Sequence, residues 1–210
     1  MKQILFVILL FTISPLCLFA QTPFSVNDLL NVKRVGDPQL SPDGRTVAYT
    51  VGVVNKSENR LLTHIYTVHV DGSGKRQVTS GDKSHSSPRW SPDGKRLAYT
   101  TGGQVWTMET DGDDKKQITK IATGAGNPVW SPNGTWLAFS SDVYPECRTI
   151  ECNKTEEEKS EASKVKAKIA DRLLFRHWVE WRDRKRSHVY IIPSKGGIAR
   201  DMTPGDFDSP

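Results

Sequence analysis

The sequence contains no Gly-x-Ser-x-Gly motif, the strand–turn–helix element that carries the nucleophile of an α/β-hydrolase. Gly72-Ser73-Gly74 is predicted to be a hairpin turn, and His85 lies in a predicted connection between two β units. Neither pattern supplies an oxyanion hole or a third member of a catalytic triad. We therefore assign no catalytic residue and expect this chain to be inactive as a hydrolase on its own.

Metal and cofactor motifs are missing as well. The positions of His64 and His69 differ by five, an odd number, so a strand would point the two rings to opposite faces. Asp111-Gly112-Asp113-Asp114 lacks the spacing and the distal glutamate of a calcium loop. We predict no metal site and no cofactor.

Positive charge is in excess, but without the pattern of a nucleic-acid-binding protein. The sequence has 29 Lys and Arg against 24 Asp and Glu, a net charge of +5. Lysine and glutamate are mixed along the chain and form no basic stripe. This pattern indicates a generally cationic surface and no nucleic-acid partner.

Long apolar runs are confined to the start of the sequence. Met1-Lys2 is a short basic start, residues 4–19 are almost wholly apolar, and Ala20 closes the run. We interpret residues 1–20 as a secretory signal peptide that is cut after Ala20. The alternative is a membrane anchor, but Pro15 interrupts the run, and about 20 apolar residues are normally needed to span a bilayer. We expect an exported protein, periplasmic or secreted, without a stable membrane anchor.

Cysteine is scarce, and removal of residues 1–20 leaves only Cys147 and Cys152. Two nearby cysteines in an exported chain are typical of one local disulfide. A metal site is the alternative, but it would need two further ligands, and no nearby histidine pair supplies them. We predict a Cys147–Cys152 disulfide that shapes a single loop.

The sequence contains a β unit that is repeated three times. The sequence Ser-Pro-Asp-Gly, or Ser-Pro-Asn-Gly in the last copy, begins at residues 41, 91 and 131. Each turn precedes an alternating run of β-forming residues, and in the first two copies a second run, a hairpin turn and a short last strand follow directly. A period of about 40 to 50 residues with four strands per unit is typical of a propeller blade. The sequence predicts an all-β fold, a partial β-propeller of three blades with about four antiparallel strands each.

The predicted boundaries follow from these repeats. Residues 21–37 form an N-terminal segment with a short helix capped by Ser25 or Asn27, and residues 38–210 form the incomplete propeller. The blades are predicted at about residues 38–86, 87–126 and 127–207. The end of the sequence matches the openings of blades two and three, and three blades do not close a ring. We therefore expect the chain to be the front part of a longer protein.

The third blade is predicted to carry a helical insertion at about residues 145–187. Its β pattern stops after Tyr144 and resumes at His188. The stretch from Glu156 to Trp181 has no Gly or Pro and is rich in helix formers. Leu174, Trp178 and Trp181 follow helical spacing and would form one apolar stripe.

Four segments resemble the prolyl oligopeptidase family of serine peptidases, in the branch of acylaminoacyl-peptidases and dipeptidyl-peptidases. They are residues 24–44 at the start, Ser140 to Asp142 with the cysteine loop, Asp171 to Trp178 in the insertion, and Asp201 to Asp206 near the end. The resemblance covers residues 24–210. It implies that a C-terminal α/β-hydrolase domain of the same protein is the partner of this propeller, and that peptides are the substrates. The catalytic residues of that domain map onto no position of this chain.

The resemblance implies a function for the chain and for its insertion. The chain would be the non-catalytic propeller of an exported serine peptidase, gating access to the hydrolase domain. Arg172, Arg176, His177 and Glu180 are then possible contacts in the substrate cleft. The alternative for the insertion is that Trp178 and Trp181 anchor a helix whose charged residues face solvent. The alternative for the whole chain is a TolB-like periplasmic propeller that acts as a protein-binding scaffold, because such propellers share the repeat.

Overall fold

The computed structural model describes residues 23–165, 167, 176–177, 180–181 and 184–209. The chain divides into two units, residues 1–32 and 33–210. The predicted signal peptide, residues 1–20, lies outside the described residues. In the first unit, helix α1 spans Val26–Asn31 and Ser25 caps it, since the Asp28 N–H donates to Ser25 Oγ at 3.2 Å. Hydrogen bonds from Ser25 lower the pKa of Asp28.

The second unit contains three four-stranded antiparallel sheets, which we call blades 1, 2 and 3. Blade 1 is formed by β1 (Arg34–Leu40), β2 (Thr46–Asn55), β3 (Arg60–His69) and β4 (Arg76–Gln77). Blade 2 is formed by β5 (His85–Trp90), β6 (Arg96–Thr101), β7 (Gln104–Glu109) and β8 (Lys116–Gln117). Blade 3 is formed by β9 (Gly126–Trp130), β10 (Trp136–Val143), β13 (Arg186–Pro193) and β14 (Arg200–Asp201). The predicted three-blade, all-β fold is confirmed.

One turn joins the first two strands of every blade with the same hydrogen bonds. In blade 1, Ser41 Oγ donates to Asp43 Oδ1 at 2.6 Å and accepts the first N–H of β2 at 2.9 Å. Ser91 and Asp93 repeat both bonds in blade 2. Gly44 has a φ of +72°, which glycine adopts more readily than other residues. The serine hydroxyls lower the pKa of Asp43 and of Asp93.

The first strand of every blade contains a β-bulge at a left-handed residue that precedes a proline. These residues are Asp37, Ser87 and Asn127, with φ values of +47°, +53° and +51°. At each of them the pairing with the second strand shifts in register. Bulges re-aim a strand and increase its local twist. The x-Pro step therefore bends the first strand of each blade at the same place.

The apolar core fills the two spaces between neighbouring blades. Leu97 and Tyr99 of β6 pack with Ile65 of blade 1, whereas Ala98 packs with Phe139 of blade 3. Successive side chains of a strand point to opposite faces. Strand β6 is consequently buried on both faces, and these three side chains are at most 1% exposed.

The third-blade insertion contains one helix, α2, which spans Ile150–Ala162. It begins before the predicted start at Glu156, because Thr149 caps its first turn. A helix in this insertion is confirmed.

The predicted continuation of this helix to Trp181 was wrong. Strands β11 (Arg176–His177) and β12 (Glu180–Trp181) form an antiparallel pair instead. Aromatic residues are frequent in this stretch and favour strands, which accounts for the local change from helix to strand. Leu174 and Trp178, the other members of the predicted apolar stripe, lie outside the described residues.

Candidate functional site: the insertion of the third blade

The insertion leaves blade 3 after β10 and returns at β13, two neighbouring antiparallel strands. Its two ends therefore lie at one end of the blade, opposite the Ser-Pro-Asn-Gly turn that joins β9 to β10. We call these two ends, together with the start of α2, the base of the insertion. A disulfide, a buried amide and an ion pair hold the base in place.

The disulfide joins Cys147 to Cys152, with a Cα–Cα distance of 5.3 Å. The Cys152 N–H donates to Thr149 Oγ1 at 3.1 Å, so the bridge and the helix cap stabilise the same turn. The predicted disulfide is confirmed. It holds the start of α2 close to the chain that leaves β10.

Asn153 connects α2 to the end of β10. Its side chain is 2% exposed, its Oδ1 accepts the Tyr144 N–H at 2.8 Å, and its Nδ2 donates to the Thr149 carbonyl at 3.0 Å. Because both halves of the amide are bonded and buried, the Asn153-Lys154-Thr155 sequon presents no accessible acceptor for a glycan.

An ion pair brings together both ends of the insertion and its helix. Lys185, directly before β13, places its Nζ 2.6 Å from Glu157 Oε2 on α2. The Tyr144 hydroxyl, directly after β10, donates to the same carboxylate at 3.2 Å. The Lys185 ammonium also lies 5.4 Å from the centre of the Tyr144 ring, within the range of a cation–π contact. Burial raises the pKa of Tyr144, so the hydroxyl remains a donor.

The four predicted cleft contacts belong to the segment that this base supports. Arg172 lies outside the described residues. The backbone of Arg176, His177 and Glu180 forms the β11–β12 pair, in which His177 is directly opposite Glu180. A substrate-binding role for the four residues stays a prediction.

A buried histidine–aspartate pair in blade 3 was missed by the sequence analysis. His188 is 2% exposed, and its Nδ1 lies 2.7 Å from Asp201 Oδ2. Its Nε2 lies 2.9 Å from the Gly205 carbonyl oxygen. A catalytic histidine must present Nε2 to a nucleophile. Since this nitrogen is bonded to a carbonyl, the pair ties β13 to the chain after β14 and does not form a triad.

Two equivalent clefts of about 600 and 640 Å³ lie between the blades at the end that carries the Ser-Pro-Asp-Gly turns. In each, a tryptophan of one blade bonds to the preceding blade. Trp90 Nε1 donates to the Gln39 carbonyl at 2.9 Å, and Trp130 Nε1 donates to the Arg89 carbonyl at 3.0 Å. The clefts recur with the repeat, so we regard them as joints between blades.

Neither α1 nor α2, the helices of the described residues, is long and apolar enough to cross a membrane.

Comparison with curated proteins relates part of the chain to a peptidase. Over 61 residues it is 38% identical to dipeptidyl-peptidase 5 of Porphyromonas endodontalis. The aligned stretch makes up 29% of this chain and 9% of that protein. The match therefore spans less than a tenth of the relative's length.

Two solved structures resemble the fold. The putative TolB from Agrobacterium tumefaciens has a TM-score of 0.53 at 19% identity, over 85% of this chain and 54% of that one. The acylaminoacyl peptidase of Pyrococcus horikoshii has a TM-score of 0.59 at 16% identity, over 82% of this chain and 24% of that one. At these identities the likeness concerns the fold alone.

The family described as the TolB beta propeller domain (PD40) matches residues 29–164, well over half of the chain. This range contains the first two blades and the start of the third, with all three Ser-Pro-Asp-Gly or Ser-Pro-Asn-Gly turns. The repeated turns, the three four-stranded sheets and this match agree with one another, and the chain belongs to the TolB beta propeller domain family.

Proposed function

We propose that the chain is the non-catalytic propeller of an exported serine peptidase, and that it gates access to an α/β-hydrolase domain in another part of the same protein. The observation that carries the proposal is the 38% identity to dipeptidyl-peptidase 5 over 61 residues. The apolar run at residues 4–19, followed by Ala20, supports export.

Gating of this kind would act by exclusion, admitting peptides and rejecting folded proteins. A gate needs an element that projects from the propeller and keeps its position. The third-blade insertion is suited to this role because the Cys147–Cys152 bridge, Asn153 and the Glu157–Lys185 ion pair fix its base. The segment beyond this base contains the proposed cleft contacts Arg172, Arg176, His177 and Glu180.

The first experiment tests the class of protein. The reading frame after the codon for Pro210 is sequenced, and its full product is treated with a fluorophosphonate probe that labels active serine hydrolases. We expect an α/β sequence of about 200 to 260 residues with a Gly-x-Ser-x-Gly motif, and labelling that residues 21–210 alone do not show. A product that lacks the motif and remains unlabelled would refute the peptidase proposal.

The second experiment tests the role of the insertion in that full product. A carboxylate that binds the substrate amino terminus favours peptides with a free amine. Glu180→Gln should therefore raise KM for such peptides and leave KM for N-acetylated peptides unchanged. Glu158→Gln is the matched control, because Glu158 lies on α2 with 63% of its side chain exposed. Equal effects of the two substitutions on KM would contradict a substrate-binding role for Glu180.

A non-enzymatic TolB-like scaffold is the second candidate, and the family match to residues 29–164 favours it. A scaffold of this class would bind another protein of the cell envelope. It predicts that the reading frame after Pro210 encodes further Ser-Pro-Asp-Gly repeats and then ends, so the sequencing step above separates the two candidates.

A further inference from the structure

His64 of β3 and His85 of β5 lie against each other where blade 1 meets blade 2. Their ring centroids are 5.5 Å apart, and the Tyr99 ring lies 5.7 Å from that of His85. Within the part of the chain that the structure describes, Nδ1 of each histidine is buried and has no hydrogen-bond partner. Buried polar atoms nearly always have a partner, so two such nitrogens in neighbouring rings require an explanation.

The backbone around the two rings indicates which nitrogen carries the proton. Burial lowers the pKa of both histidines, while hydrogen bonds to the backbone of Gly81 for His64, and of Lys83 for His85, act in the opposite direction. A backbone group that favours the protonated ring is an accepting carbonyl. Because neither Nδ1 has a partner, Nε2 is the donor in both rings. Each Nδ1 therefore keeps a free lone pair.

The geometry points to a divalent transition-metal site between blades 1 and 2, with Nδ1 of His64 and Nδ1 of His85 as its two protein ligands. Imidazole nitrogen is a good ligand for Zn²⁺, Cu²⁺ and Ni²⁺. Metal–nitrogen distances of about 2.0–2.1 Å limit two rings on one ion to centroids roughly 6.5 Å apart, and the observed 5.5 Å lies within this limit. Metal-binding histidines also commonly donate their other N–H to a backbone carbonyl, as inferred for both rings.

The site would hold its metal weakly. The described residues contain no group of three or more His, Cys, Asp and Glu side chains that could hold a metal ion, so two ligands come from the protein. Because both Nδ1 atoms are buried, the rings must turn outward before water can complete the shell. The ionisable groups near the pair include Tyr99, in ring contact with His85, and Lys115, whose positive charge acts on His85. Lys115 opposes a bound cation, which favours an affinity below that of a structural zinc site.

The test is calorimetric titration of the full chain with Zn²⁺, together with electron paramagnetic resonance of bound Cu²⁺. We expect one equivalent of metal and a Cu²⁺ spectrum with hyperfine coupling to two imidazole nitrogens. His64→Gln or His85→Gln should each weaken binding tenfold or more, because loss of an outer-shell partner alone costs about 10- to 100-fold. His69→Gln is the matched control: it lies on the same strand, is exposed, and has its Nδ1 3.3 Å from Thr46 Oγ1.

Three results would overturn the site. They are the absence of stoichiometric binding at about pH 7.5, a Cu²⁺ spectrum of the unsubstituted chain with fewer than two coupled nitrogens, and an equal loss of affinity in His69→Gln. The Cu²⁺ spectrum is recorded on the unsubstituted chain. It therefore tests whether two histidines bind the metal even where a substitution at His64 or His85 prevents folding. Circular dichroism of each variant verifies that a loss of binding is not a loss of fold.

Discussion

Gly112 lies in the hairpin turn of blade 2, close to the backbone of blade 1. It has a φ of +93°, and a Cβ added there would lie 2.5 Å from the Val78 carbonyl oxygen. Gly72 occupies the equivalent position in blade 1 with a φ of +86°, and a Cβ there would have nothing within 4 Å. Gly112→Ala and Gly72→Ala therefore introduce the same backbone strain, but only the first pushes one blade against another.

The two substitutions should differ by a measurable free energy. An L-residue in the left-handed region costs about 1–2 kcal/mol, and this cost is common to both variants. The contact with Val78 adds about 1–3 kcal/mol, the usual range for overpacking. This oxygen belongs to a backbone held in place, because the Val78 N–H donates to the Ile65 carbonyl at 2.9 Å. We expect losses of about 1–2 kcal/mol for Gly72→Ala and about 2–5 kcal/mol for Gly112→Ala.

Urea denaturation followed by tryptophan fluorescence measures both losses, and amide hydrogen exchange locates them. Each kcal/mol corresponds to a change in melting temperature of about 2–4 °C for a chain of this size. Exchange should accelerate at Val78 in Gly112→Ala alone. The hydrogen bond from Arg76 Nη2 to the Asp111 carbonyl, 2.5 Å long, should break in the same variant. Equal destabilisation by the two substitutions would refute close packing of blade 2 on blade 1 at this turn.

Three further outcomes follow from the contacts described. Replacing Cys147 and Cys152 together by serine should cost about 2 kcal/mol, since the bridged loop is short, and should speed amide exchange in α2; unchanged exchange there would contradict an anchoring role. His85 has a pKa of about 4 in the folded chain against 6.5 when exposed, so the unfolded chain takes up the proton first as pH falls. Stability should therefore decline between about pH 6.5 and pH 4, and His85→Gln should flatten this decline in urea midpoints measured at several pH values; parallel curves would contradict it. In a host that glycosylates exported proteins, peptide mapping should find a glycan on the exposed Asn133 and none on Asn153, and the reverse pattern would contradict the burial of Asn153.

The blades were predictable because their signal is local. A Ser-Pro-Asp-Gly turn fixes its own geometry through Ser41 and Asp43, and the alternating residues that follow need only a neighbouring strand. The disulfide was predictable for the same reason, since its two cysteines are separated by only four residues.

The insertion and the buried polar pairs depend on contacts that sequence periodicity does not encode. Helix formers continue beyond Ala162, yet the aromatic residues further on favour strands, and the chain forms the β11–β12 pair there. The histidine that shares a strand with His64 is His69, whereas its neighbour in space is His85 on the next blade. That neighbour becomes visible only when the packing of blade 1 on blade 2 is known.

The tryptophan hydrogen bond at each joint between blades does not depend on the side chain of the residue that accepts it. The indoles of Trp90 and Trp130 bond to main-chain oxygens of Gln39 and Arg89, two residues with unlike side chains. Deletion of residues 41–90 would leave the Gln39 carbonyl in the position where Trp130 now meets the Arg89 carbonyl. Duplication or unequal recombination of the gene at this point can therefore add or remove one whole repeat and keep the tryptophan bond, whereas the Asp37–Arg89 ion pair of the first joint would be lost, because Val129 stands in place of Arg89 at the second.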